Sequence, residues 1–217
     1  MSVFKQYYNQ DKDKYGINSN RRKKILDLIG PTDHKKILDL GCSTGYLGKS
    51  LKKDNNQVVG IDISEKAAQE AQKELDQVFV CDLQEEELPL AEKSFDIVVL
   101  AEVIEHLLFP ERAIEKAKKV LKDDGVIIIT TPNFLVLSNR LKMLLGKFQY
   151  AEDGFLDRGH VHFFTYKELK RFLANNNLKV LEENNITYFR VPDFLSKIWP
   201  NLFVFQVIIK ATLDSKR

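Results

Sequence analysis

Cysteine is scarce in this chain: 2 of 217 residues, Cys42 and Cys81, with no zinc-type or C-x-x-C spacing between them. This excludes a disulfide scaffold and a cysteine-ligated metal. Two buried thiols in a reducing compartment are expected instead. Charge of one sign is equally scarce. Against 33 basic residues stand 31 acidic ones, a net charge of +2, so nucleic acid is not expected as a partner on bulk electrostatics. No apolar run approaches the roughly 20 residues that span a bilayer. The opening MSVFKQYYNQDKDKYG lacks the apolar stretch of a signal peptide, which predicts a cytoplasmic protein. Internal repeats and low-complexity linkers are missing too, so residues 1–217 read as one domain.

What is present is alternation. Runs rich in Val, Ile and Leu at 36–40, 57–63, 77–83, 95–103 and 125–132 are separated by amphipathic stretches at 45–53, 65–75 and 111–121. Strands buried on both faces by crossover helices produce this pattern. It predicts a doubly wound α/β fold with a mostly parallel, seven-stranded sheet. LKVLEENNITYF and NLFVFQVIIKATL supply its last two strands, paired as an antiparallel edge. Ser64 caps the second helix in this reading, and Asp123, Asp124 and Gly125 end the third. Thr165 with Glu168 forms a capping box for TYKELKRFLANNN. Residues 1–20, 133–163 and VPDFLSKIWPN fall outside the alternation and are expected to form a lid over the carboxyl ends of the strands.

The turn ILDLGCSTGYLGKS, residues 37–50, begins two phosphate-binding signatures and completes neither. Counted from Gly41, a dinucleotide fingerprint needs glycine at Ser43 and again at Tyr46. A triphosphate loop ending on Gly48, Lys49 and Ser50 also needs glycine at Ser43. Asp39, at the end of the first strand, would confront a phosphate with like charge at a cost of several kcal/mol where water is scarce. The same carboxylate suits a ligand carrying a cation.

In the order ILDLGCSTGYLG, VVGIDIS, VCDL and FDIVVLAEVIEHL, the chain resembles the class I S-adenosylmethionine-dependent methyltransferases, over about residues 20–183. The resemblance implies a Rossmann-like sheet and S-adenosyl-L-methionine as cofactor, with S-adenosyl-L-homocysteine as product. Gly41 and Gly45 would cradle the cofactor, Asp62 would hold both ribose hydroxyls, and Asp82 would face the adenine amine. Leu83 or Ile63 would pack on the ring. Asp39, Cys42, Ser43, Tyr46 and Glu102 complete the expected cofactor-binding set. Ser43 departs from the glycine that many members carry there.

For transfer to a hydroxyl, a base near the methyl group helps. His106, closing EVIEH at the carboxyl end of the fourth strand, is the first candidate. His160 and His162 alternate in RGHVHFFT, so only one of them should face the site; His162 joins His106 as an expected catalytic residue. His34 precedes the first strand, on the wrong side of the sheet. Glu102, Glu105 and His106 fall at i, i+3 and i+4, a spacing that on a helical turn offers ligands for Mg²⁺ or Mn²⁺. Small-RNA 2′-O-methyltransferases and quinone-biosynthesis O-methyltransferases look similar here. Hard cations prefer more carboxylates, so no metal enters the expected site.

The expected activity is methylation of a small-molecule acceptor, with oxygen favoured. NFLVLSNRLKMLLGKF reads as an amphipathic helix with Arg140, Lys142 and Lys147 on its polar side, more often a lid packed on the core than an interfacial helix. The apolar character there leaves room for an apolar acceptor and for peripheral membrane contact. TPNFLVLSNRLKMLLGK also resembles methyltransferase-like proteins associated with methionine biosynthesis, some of which are thought to assist a partner enzyme. A non-catalytic cofactor-binding partner protein, a small-RNA methyltransferase and a nucleotide hydrolase using Lys49 are the competing readings. Arg21 to Lys24 read as a solvated helix face from which an arginine could reach the methionine carboxylate.

Overall fold

The computed structural model describes residues 18–150, 156–187 and 191–214. Parallel strands β1 (Lys36–Leu40), β2 (Gln57–Asp62), β3 (Gln77–Val80), β4 (Phe95–Ala101) and β5 (Leu121–Pro132) alternate with helices. Strand β8 (Val204–Leu213) runs antiparallel between β5 and β6 (Leu178–Glu183), giving the order β3-β2-β1-β4-β5-β8-β6. A two-residue strand, β7 (Ile186–Thr187), also pairs with β8. The last strands therefore pair antiparallel as the sequence predicts, with β8 one strand in from the border.

Neighbouring residues on each strand enter different clusters. On β4, Val98 and Leu100 pack with Leu38, Ile61 and Ile127, whereas Ile97 and Val99 pack with Ile37, Val58 and Ile128. Side chains on a strand alternate between faces, so a strand buried on both must be apolar at nearly every position. Helix α4 (Pro110–Val120) and helix α6 (Tyr166–Asn175) cover the first face; α1 (Ser19–Ile29), α2 (Tyr46–Leu51) and α3 (Glu65–Ala71) cover the second. Each fully buried Leu, Ile or Phe contributes about 1.5–3 kcal/mol over leaving it in water.

Local signals hold with two adjustments. Ser64 Oγ accepts from Ala67 N–H and Thr165 Oγ1 from Glu168 N–H, so both caps form. The Glu168 carboxylate, however, pairs with Arg171. Helix α4 ends at Val120, and Asp123, Asp124 and Gly125 lie inside β5, because the chain becomes extended at Leu121 without a glycine stop. The proposed lid residues 1–17 fall outside the described residues. No described helix is long and apolar enough to cross a membrane.

Candidate functional site

The parallel register places Asp39 beside Gly60, and both Asp39 and Asp62 lie at the carboxyl ends of adjacent strands. The turn between β1 and α2 needs left-handed backbone at Gly41 (φ 75°), Ser43 (φ 47°) and Gly45 (φ 79°). At Gly41 a side chain is doubly excluded, since a Cβ would come within 2.5 Å of Val103 Cγ2. Ile61 O accepts from the N–H groups of Gly41 and Cys42, and Ser43 N–H donates to Asp62 Oδ2 at 2.7 Å. The second Asp62 oxygen accepts from Ser64 N–H. The turn is thus clamped to β2 by the acid that ends it.

Asp39 is buried, and its Oδ2 has no hydrogen-bond partner among the described residues. Burial, reinforced by the charge of Asp62 and opposed by a backbone hydrogen bond at Gly48, pushes its carboxyl up to about 7. Burial also raises Asp62, against its backbone hydrogen bonds. Cys42 points into the core, where a Cβ on Gly60 would meet its Sγ at 2.7 Å; burial and both carboxylates hold the thiol protonated. Cys81 is likewise a buried free thiol. Tyr46 is exposed with Arg22 over its ring.

Past β3, Asp82 Oδ1 accepts from Gln84 N–H in a turn that carries Leu83. Sequence reasoning missed what fixes this loop. Lys116 Nζ, buried on α4, donates to Leu83 O (2.8 Å) and Glu86 O (2.5 Å). Gln84 Oε1 accepts from Leu108 N–H at 2.6 Å, and Leu108 O in turn meets His162 Nε2 at 3.1 Å. A lysine among Ala113, Ala117 and Val120 on the apolar face of α4 was the readable sign of a buried cation.

Glu102 has the backbone conformation of a strained junction, φ 59° for a non-glycine residue. Its N–H donates to Thr130 Oγ1, its Oε1 accepts from Thr130 Oγ1–H (2.7 Å) and Gln206 Nε2 (2.5 Å), and Arg21 Nη1 lies 3.1 Å from Oε2. This differs from the i, i+3, i+4 expectation: only Glu105 and His106 lie on the 3₁₀ turn Ile104–His106, and Glu102 stands outside it. Arg21 leaves the solvated face expected for it, and its Nε is buried without a partner among the described residues.

Glu105 is buried beside Thr131, and neither carboxylate oxygen has a hydrogen-bond partner among the described residues. Burial, then the charge of Glu102, raises its carboxyl well above the usual range. Its backbone O accepts from Val161 and His162 N–H, which holds the segment after Asp157 across the site. His106 Nδ1 lies 3.0 Å from Gly159 O, and the His106 and His160 rings are 4.6 Å apart. Ligand atoms of Glu105, His106 and His160 all come within 4.8 Å of one another. Both His160 and His162 line one water-sized cavity with Glu105 and Phe134, so alternation does not separate them there. The segment 159–165 is not a regular strand, and strict two-residue periodicity does not apply.

The model of a methyltransferase-domain family matches residues 15–183. Two ubiquinone biosynthesis O-methyltransferases are similar. That of Cupriavidus pinatubonensis is 30% identical over 173 residues, 75% of this chain and 68% of that one. That of Azoarcus sp. is 29% identical over 164 residues, covering 71% and 68%. Among solved structures, an S-adenosylmethionine-dependent methyltransferase from Archaeoglobus fulgidus superposes with a TM-score of 0.65 at 20% identity, covering 94% of this chain and 98% of that one. Another from Thermotoga maritima gives 0.63 at 22%, covering 88% and 87%. Strand order, glycine turn and family match agree, and the chain belongs to the class I S-adenosylmethionine-dependent methyltransferases.

Proposed function

We propose that the protein methylates an oxygen of a small-molecule acceptor. The observation that carries the cofactor side of this reading is the buried carboxyl of Asp39 beside the glycine turn, whose Oδ2 has no hydrogen-bond partner among the described residues. A buried polar atom without a partner awaits one, and a second negative group would raise the energy of this corner further. A nucleoside bearing an ammonium and a sulfonium fits. Gly41, Ser43 and Gly45 form the cradle, with Cys42 as its floor and Tyr46 at its rim. Asp62 receives the ribose hydroxyls; Asp82 receives the adenine amine, with Leu83 or Ile63 against the ring. Arg21, held by Glu102, offers its buried Nε to the methionine carboxylate. When bound, the cofactor supplies an electrophilic methyl group.

The protein then has to align the acceptor and take up its proton; alignment alone supplies roughly 7–11 kcal/mol. His106 is the proposed base, with His162 in the lid as the second catalytic histidine. The names of the similar ubiquinone-pathway proteins support oxygen as the acceptor atom. Asp62→Ala tests the cofactor assignment. It is expected to weaken S-adenosylhomocysteine binding by about 1–3 kcal/mol, the range for hydrogen bonds to a charged group; an unchanged calorimetric affinity would remove Asp62 from the ribose site.

A second reading is favoured by one cluster: Glu105, His106 and His160 have the donor set of a divalent cation site. An Nδ1–H to carbonyl bond, as His106 can make to Gly159 O, is the usual support of a histidine ligand. With a cation there, EDTA abolishes transfer to the acceptor and Mg²⁺ or Mn²⁺ restores it. Activity indifferent to chelator leaves His106 as base alone.

A further inference from the structure

Helix α5 (Leu137–Leu144) is inside out. Its one buried residue is Asn139, whose Nδ2 donates to Phe134 O at 2.9 Å. Leu137, Leu141, Leu144 and Leu145, at i, i+4, i+7 and i+8, face solvent; Leu144 is 82% and Leu145 69% exposed. A stripe of this period ordinarily covers a core. The expectation of a lid packed on the core therefore fails for this helix.

A second segment with exposed apolar side chains is tied to the first. Buried Asn133 donates Nδ2 to Val204 O (2.8 Å) and Asn201 O (3.2 Å), tying the approach to α5 to the turn that follows helix α7 (Asp193–Ile198). Phe194, 61% exposed, lies on α7 itself, and Trp199, 51% exposed, directly follows it. Exposed apolar side chains gathered on segments that are tied together mark an interaction surface.

Its charge selects the occupant. Residues 137–150 contain Arg140, Lys142 and Lys147 and no acid, and α7 adds Lys197 against Asp193. A symmetric dimer would lay this patch on its own copy and set cations against cations. An anionic lipid surface accepts both features at once: leucines in the acyl boundary, lysine and arginine among the phosphates, tryptophan at the level between them. We propose that the α5–α7 face docks the protein on anionic bilayers. The buried side of the same helix is anchored to Phe134, a residue of the small cavity that His160 and His162 line.

Trp199 is the only tryptophan in the chain and reports docking directly. Full-length protein is titrated with phosphatidylcholine vesicles, with and without phosphatidylglycerol. The expected result is a blue shift of Trp199 emission and co-flotation with the anionic vesicles, both weakened by salt. Leu144→Ser with Leu145→Ser should reduce the partition coefficient about tenfold or more, given the apolar area removed. Lys142→Ala with Lys147→Ala should reduce it severalfold, since each surface cation adds to the attraction. These positions are exposed, so an unchanged melting temperature checks that folding is intact. No blue shift and no flotation with anionic vesicles would overturn the proposal. So would light scattering that finds a dimer which the Leu144→Ser, Leu145→Ser variant dissociates. None of these readouts needs bound cofactor, so the proposal stands or falls separately from the methyl-transfer reading.

Discussion

Replacing His106 with alanine is expected to lower turnover by about 10²- to 10⁴-fold, the contribution of a positioned general base, with cofactor affinity unchanged. The direction follows from the hydrogen bond at its other nitrogen. Gly159 O can only accept, so the bond of 3.0 Å assigns the proton to Nδ1 and, in the neutral ring, the lone pair to Nε2. The Gly159 carbonyl thereby orients the imidazole as the proposed base requires. His106→Asn separates orientation from proton transfer, because an amide can still donate to Gly159 O but cannot take up a proton. Activity rescued by asparagine would reduce His106 to a positioning residue, and normal turnover in the alanine variant would remove it from the mechanism.

Asp39→Asn should have two effects of opposite sign. The folded-state carboxyl lies at about 7, above the ordinary 3.8, so the unfolded chain releases this proton first as pH rises. The protonated group's contribution to stability is complete below about pH 4 and is lost progressively between about 4 and 7. Above pH 7 the unliganded protein therefore carries a buried, ionised carboxylate whose Oδ2 has no hydrogen-bond partner among the described residues. Asparagine removes that charge at similar volume, and the unliganded protein at pH 8 should gain about 2–4 kcal/mol, at about 1.4 kcal/mol per unit of pKa shift. The melting temperature should rise by about 5–10 °C. Affinity for S-adenosylmethionine should fall about 10- to 100-fold, the loss expected when a charge-assisted contact is removed. Wild-type affinity should itself weaken as pH drops below 7, and the variant's should not. A variant no more stable than wild type, with undiminished affinity, would show that Asp39 does not face the ligand.

The placement of the candidate residues was legible because they lie at strand ends. Asp39, Gly41, Asp62 and Asp82 each follow an apolar run, and the parallel sheet gathers the ends of its strands at one edge whatever the intervening helices do. The family match and the strand order bear out the fold and the cofactor class. What could not be read depends on partners far apart in the chain. Glu102 meets Gln206 and Arg21 only because β8 inserts between β5 and β6 and α1 lies on the same face. Lys116 is buried because Leu83 and Glu86 present two carbonyls to it. Periodicity located the α5 stripe correctly but not its direction. An apolar face says that something covers it, and the covering surface need not belong to the same chain.

Calorimetric titration of the purified protein at pH 8 with S-adenosylmethionine, S-adenosylhomocysteine, ATP and NAD tests the central claim most directly. The account predicts saturable binding of the methyl donor and its product and no detectable heat from either polyphosphate. Binding of ATP or NAD to a chain that ignores both sulfur nucleosides would contradict it.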